Sequence, residues 1–322
     1  MQPLILYSVI FIHGLFGDPE KTWTGHLPRS NSPPPKHPDE NSILEARNEH
    51  DTGHKDSKGR GIFWPALLLP KVVDKAQIST WGYDADIDDL WSSASQNTVG
   101  QHATNLLSDM ADMLESSEPT LPIIFVVHSL GGIIVKAVSS VIYGLTHVRK
   151  LTILKAMNQS SETHGTRLKI VIPDVIGIVF LGTPHRGSQS ASIGRMAYQI
   201  TTIATRQPNR KLLRALEKNS DTLEQVGNSF LQTLEGHQKI QVYSFREEKE
   251  TRRFLFFNTI IVEPDSAKIG LSKEEVNSIP ANHSDMTKFS SPEDIGFKRV
   301  SAQLRRWIQA LPTRNDGTPH HS

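Results

Sequence analysis

The sequence predicts an α/β fold, with one mostly parallel sheet covered by helices on both faces. Short, continuously apolar runs alternate along the chain with longer amphipathic stretches, as strands buried on both faces and their crossover helices require. One such run, Pro122 to Val127, passes almost without a loop into a second apolar segment, Gly132 to Tyr143. That succession is a strand turning directly into a helix.

The first run, Leu4 to Ile12, has the composition of a signal-peptide core, but no Lys or Arg precedes it and it leads straight into His13-Gly14. It therefore reads as a strand. Further strands are expected at Gln77 to Tyr83, Pro122 to Val127, Val175 to Leu181, Lys239 to Phe245 and Phe257 to Glu263. Helical spacing of Ala103, Leu106, Leu107, Met110, Met113 and Leu114 predicts a helix over Val99 to Leu114. Gly132 to Tyr143, Arg210 to Leu234 and Ile295 to Leu311 are read as further helices of the outer layers. Residues 28–61 are rich in Pro, Ser, Asn, His and charge and hold almost no large apolar side chain, so they are expected to form a flexible, disordered insertion. Residues 145–170 carry only a weak helical pattern and read as a lid or a long excursion. The domain is expected to end at residue 311, leaving 312–322 as a disordered tail.

Composition narrows the function. The 35 Lys and Arg balance 34 Asp and Glu, so no basic field exists to attract nucleic acid. The chain has no cysteine, which excludes disulfides, thiolate catalysis and cysteine-ligated metal sites and suits a reducing compartment. No apolar run approaches the roughly 20 residues of a membrane-spanning helix. An intracellular protein is expected, whose membrane contact, if any, is peripheral.

The chemistry centres on Pro122-Ile-Ile-Phe-Val-Val-His128-Ser129-Leu130-Gly131-Gly132-Ile-Ile-Val. A serine between a buried strand and a buried helix is a nucleophile elbow, and it specifies the α/β-hydrolase fold. Gly131 and Gly132 supply the small residues needed where the strand and helix backbones approach each other. The position two before the serine, usually glycine, is Val127, whose branched side chain is expected to crowd the turn. Upstream, Phe11-Ile12-His13-Gly14-Leu15 leaves a strand end in a turn that would aim the Leu15 N–H at the site. Together with the Leu130 N–H it would form an oxyanion hole. His283 follows the last expected strand and precedes the final helix, where this fold carries its base. His320 and His321 lie in the polar tail and are set aside.

The acid should lie between serine and histidine in chain order. Arg246-Glu247-Glu248 and Glu263-Pro264-Asp265 both follow expected strands, leaving Glu247 and Asp265 as candidates. His185, in Thr183-Pro184-His185-Arg186-Gly187-Ser188, precedes any candidate acid and reads as a supporting residue. His13, Gly14, His128, Gly131 and Gly132 complete the expected surroundings.

These segments, with Trp81-Gly82-Tyr83-Asp84-Ala85-Asp86 and His283-Ser-Asp-Met-Thr-Lys-Phe289, resemble the lipase-like serine esterases that include the serine active site-containing proteins. The resemblance extends from Val9 to Phe289, without the insertion, and also reaches the hydrolase module at the front of fungal NACHT-type proteins. It implies Ser129 as nucleophile and His283 as base. Ser244-Phe245-Arg246-Glu247 resembles the family's Ser-Phe-x-Glu segment, which ranks Glu247 before Asp265. It further implies acyl ester or lipid substrates, phospholipid remodelling, and association with mitochondria, endoplasmic reticulum or membranes. Relatives carry more strand material before the His-Gly turn, so either the sheet lacks its first edge here or the start is shortened. The expected activity is hydrolysis of an ester through an acyl-enzyme, without metal or organic cofactor. The alternatives are a catalytically weak interaction or signalling module and a lipid acyltransferase.

Overall fold

The computed structural model describes residues 6–26, 61–85, 99–115, 121–152, 174–185, 189–205, 220–253 and 257–311. Six strands form the central sheet: β1 (Tyr7–Ile12), β2 (Ala76–Trp81), β3 (Ile123–His128), β4 (Val175–Leu181), β5 (Gln241–Glu247) and β6 (Glu274–Ile279). Their spatial order is β6-β5-β4-β3-β1-β2, and every pairing is parallel. Five helices matter here: α1 (Val99–Glu115), α2 (Leu130–Thr152), α3 (Gln189–Thr205), α4 (Ser220–Gly236) and α5 (Ile295–Gln309).

The strands alternate between two apolar cores, as the two-residue period of side chains demands. Ile10, Ile12, Phe125, Val127, Ile178 and Phe180 join one core with Leu106 of α1, Ile133 of α2 and Phe230 of α4. Val9, Phe11, Ile124, Val126, Val179 and Leu181 join the other, beneath Trp23, Trp64 and the Val300, Leu304 and Trp307 face of α5. All six residues of β1 and of β3 are buried, which is why, Ser8 and the terminal His128 apart, these strands are apolar throughout.

The structure corrects the expected sixth strand. Within Phe257 to Glu263 only Phe257–Thr259 is extended, and it pairs antiparallel with Thr251–Arg253 in a small ribbon outside the sheet. The sheet's last strand is instead β6, Glu-Glu-Val-Asn-Ser-Ile, which pairs with β5 alone. An edge strand is wetted on one side and tolerates polar residues, so β6 carries no apolar signal.

Two helices also differ from expectation. α2 continues to Thr152, so the first part of the 145–170 excursion is helix, with no Pro or Gly between 145 and 152 to stop it. α3 was not expected, because Thr, Ser and Gly194 dilute a pattern that Ile193, Met196, Ala197 and Ile200 do carry. The described part of the Arg210 to Leu234 helix begins at Ser220. Residues 28–60 of the insertion, 153–170 and 312–322 lie outside the described residues.

Candidate active site

The site forms at the carboxyl ends of β1, β3, β4 and β5, where crossover connections leave loops free to converge. Ser129 lies between β3 and α2 with φ 53°, in the left-handed region that a non-glycine residue rarely adopts. The surroundings hold it there. Its N–H donates to Leu181 O (2.9 Å), and its carbonyl accepts from Gly132 N–H (3.2 Å) and the Thr183 hydroxyl (3.0 Å). A Cβ on Gly131 would lie 2.4 Å from His13 O, and one on Gly132 would lie 2.3 Å from Thr183 Oγ1. The expected crowding by Val127 does not arise: its side chain is fully buried in the core beside Ile12 and Phe180, and the turn forms beyond it.

A parallel sheet in this order, turning at its centre into a helix through a strained serine, decides the architecture. This is the α/β-hydrolase fold. Within it, His283 Nε2 lies 3.1 Å from Ser129 Oγ, within hydrogen-bonding reach for proton transfer. His283 sits in a turn capped by Asn282, whose Oδ1 accepts from the N–H groups of Ser284 (3.1 Å) and Asp285 (3.0 Å). His128 Nε2 bonds to the His283 carbonyl at 3.0 Å, so Nε2 is the protonated ring nitrogen of His128. Burial holds His128 neutral, lowering its pKa to about 4. Burial, reinforced by the neighbouring His128, also takes His283 well below the usual histidine value.

Glu247 closes β5 and is buried, with Oε1 3.8 Å from His283 Nδ1. Burial raises its pKa to about 7, against the pull of the backbone amides of Val262, Ile261 and His283; the Val262 N–H donates to Oε1 at 2.7 Å. The structure does not bring Asp265 here: its side chain is 99% exposed and 3.8 Å from Lys268 Nζ. The segment after the ribbon presents backbone amides to Glu247 rather than a second carboxylate to His283.

The turn after β1 lies against the elbow, where a Cβ on Gly14 would fall 2.6 Å from Ser129 Cβ. His13 fixes this turn: Nδ1 bonds to Gly14 O (3.0 Å), Nε2 accepts from Tyr83 N–H (3.3 Å), and the ring stacks on Tyr83 at 4.5 Å. Its burial favours the neutral form these contacts need. Leu15 is buried beyond the turn, and Leu130 opens α2, where amides have no partner within the helix.

His185 lies apart from the serine. Its buried ring packs edge-on to Phe180 at 4.5 Å, beside Lys136, and neither ring nitrogen has a hydrogen-bond partner. Its segment instead supports the elbow through the Thr183 hydroxyl. Residues 86 and 186–188 of the motifs lie outside the described residues. Gly182, which precedes Thr183 in the resembling segment, was given no role of its own from the sequence: its φ is 59°, and a Cβ there would fall 3.0 Å from the His283 ring. Met196 of α3 was also missed, and its Sδ lies 3.5 Å from Ser129 Oγ. Among the described residues no cluster of His, Asp and Glu is placed to hold a metal, and no helix is long and apolar enough to cross a membrane.

No family model matches the chain. Among curated proteins it is similar to Protein SERAC1 of Bos taurus, 23% identical over 307 residues, covering 94% of this chain and 39% of that protein. Protein SERAC1 of Danio rerio is 22% identical over 310 residues, covering 93% and 38%. The chain thus spans about two fifths of the length of these relatives. Among solved structures, a Pyrococcus furiosus esterase is 14% identical, covering 94% of this chain and 83% of its own at a TM-score of 0.42. Phospholipase PlaB from Legionella pneumophila is 17% identical, covering 83% and 43% at a TM-score of 0.36.

Proposed function

We propose that this hydrolase-fold chain is a serine esterase that cleaves a carboxylic ester through an acyl-enzyme on Ser129. The observation that carries this reading is the 3.1 Å approach of His283 Nε2 to the hydroxyl of a serine strained onto an elbow. His283 takes the Oγ proton as Oγ bonds to the acyl carbon, and the carbonyl oxygen becomes an oxyanion facing the N–H groups of Leu15 and Leu130. Collapse expels the alcohol, which receives the proton from His283. Water, deprotonated in turn by His283, then releases the acid and restores Ser129. Glu247, once ionised, orients the imidazole and offsets its positive charge. The 3.8 Å gap to Nδ1 would tighten as that charge develops, since such bonds are often long without substrate.

The same gap, with His283 Nδ1 unpartnered, supports a second reading in which the fold serves as an interaction module with slack chemistry. A fluorophosphonate probe separates the two. Stoichiometric labelling of the wild type, abolished in Ser129→Ala, is expected of the esterase. A folded wild type that never labels would leave the module reading.

A further inference from the structure

We propose that the Met196 side chain occupies the site for the substrate's acyl chain, so that α3 must withdraw before an ester reaches Ser129, and that this site takes apolar acyl groups. The inference rests on the esterase reading above.

Ser129 is 1% exposed and His283 2%, so neither meets solvent in this arrangement. His283 Nε2 takes one side of Oγ at 3.1 Å, and Met196 Sδ stands at another at 3.5 Å. A carbonyl carbon about to bond with Oγ must itself come within roughly 3 to 3.5 Å, space that the fully buried thioether shares. Methionine suits such a place because its unbranched, flexible chain fills an irregular gap, and, fully buried, it clears that gap only as α3 moves.

What surrounds Met196 identifies the ligand. It packs with Ile261, Val262 and Ala267, flanked by Ile200 and Ile203. Val262 is also the residue whose amide bonds to Glu247. Withdrawal of Met196 would therefore open an aliphatic trough beginning at Oγ. A polar acyl group would enter it without compensating hydrogen bonds, whereas a hydrocarbon chain would replace one apolar contact by another.

α3 also contacts the neighbouring ribbon, where Gln199 Nε2 donates to Thr259 Oγ1 at 3.2 Å. Because the chain has no cysteine, Gln199→Cys with Thr259→Cys supplies one thiol pair, which a short bis-methanethiosulfonate linker spans and bridges reducibly, stapling α3 in place. The bridged protein should label with fluorophosphonate about tenfold more slowly or worse, and a reductant should restore the rate in the same sample. Met196→Ala, without the staple, should react faster and shift the preferred straight-chain p-nitrophenyl ester to longer acyl groups. Equal labelling of bridged and reduced forms, or an unchanged chain-length profile in Met196→Ala, would overturn the proposal while leaving the esterase reading intact. A protein that fails to label in every form, Met196→Ala included, would overturn both.

Discussion

Replacing Glu247 by Gln keeps the size of the side chain and removes only its ability to ionise, which isolates what that ionisation does. In the folded protein burial raises the Glu247 pKa from 4.5 to about 7. The native state therefore keeps a proton that the unfolded chain releases, and stability falls as pH rises from 4.5, levelling off once 7 is passed. Between about pH 5 and about pH 8 this costs the wild type about 2 to 3 kcal/mol that Glu247→Gln does not lose. His283, shifted downward, has the opposite effect: stability falls as pH drops below the ordinary histidine value. Over this range native His283 is neutral in both proteins, so that contribution drops out of their difference. Urea denaturation of the pair across this range measures the difference directly. The same ionisation should govern turnover, because only the carboxylate can offset the imidazolium. Wild-type kcat/KM should rise about tenfold between about pH 6 and about pH 8, while the Gln variant should be slower by about 10³ to 10⁴ and lack that limb. Parallel stability curves, or a limb that survives in Glu247→Gln, would refute the reasoning.

Val127→Gly should lower stability by about 3 kcal/mol, by losing a fully buried side chain and freeing a strand residue, yet leave the Ser129 labelling rate unchanged, since the elbow forms beyond Val127. Denaturation and probe kinetics on one preparation check both parts. Lys136 is buried with its amino group donating to Pro184 O (3.0 Å), and burial lowers its pKa from 10.5 to about 7 despite the attraction of Glu274. The native state thus lacks a proton that the unfolded chain binds, so stability should rise by about 3 to 4 kcal/mol between about pH 7 and about pH 10. Lys136→Met should abolish that rise in the same denaturation experiment.

The strands that position the site were legible because burial on both faces makes β1, β3 and β4 predominantly apolar runs. β6 was not, since an edge strand with Glu274, Glu275, Asn277 and Ser278 does not alternate as a half-buried strand would. That error moved the expected last strand to Phe257 to Glu263 and made Asp265 look like a strand-end carboxylate. Ser129 and His283, which the structure brings together, could be located because an elbow and a late histidine have fixed places along such a chain. Glu247 was separable from its rivals only through the Ser-Phe-x-Glu resemblance, because its proximity to His283 depends on the pairing of β5 with β6. Met196 carried no signal beyond a helical apolar position. Its approach to Ser129 arises from how α3 packs over the sheet, which no local pattern encodes.

The central claim is a covalent intermediate on Ser129, and intact-mass spectrometry of protein quenched during turnover of a p-nitrophenyl ester tests it most directly. The account predicts an added mass equal to the acyl group, located by fragmentation on Ser129 and absent from Ser129→Ala. Turnover of the ester with an equal rate in Ser129→Ala, or an acyl adduct on another residue, would contradict it.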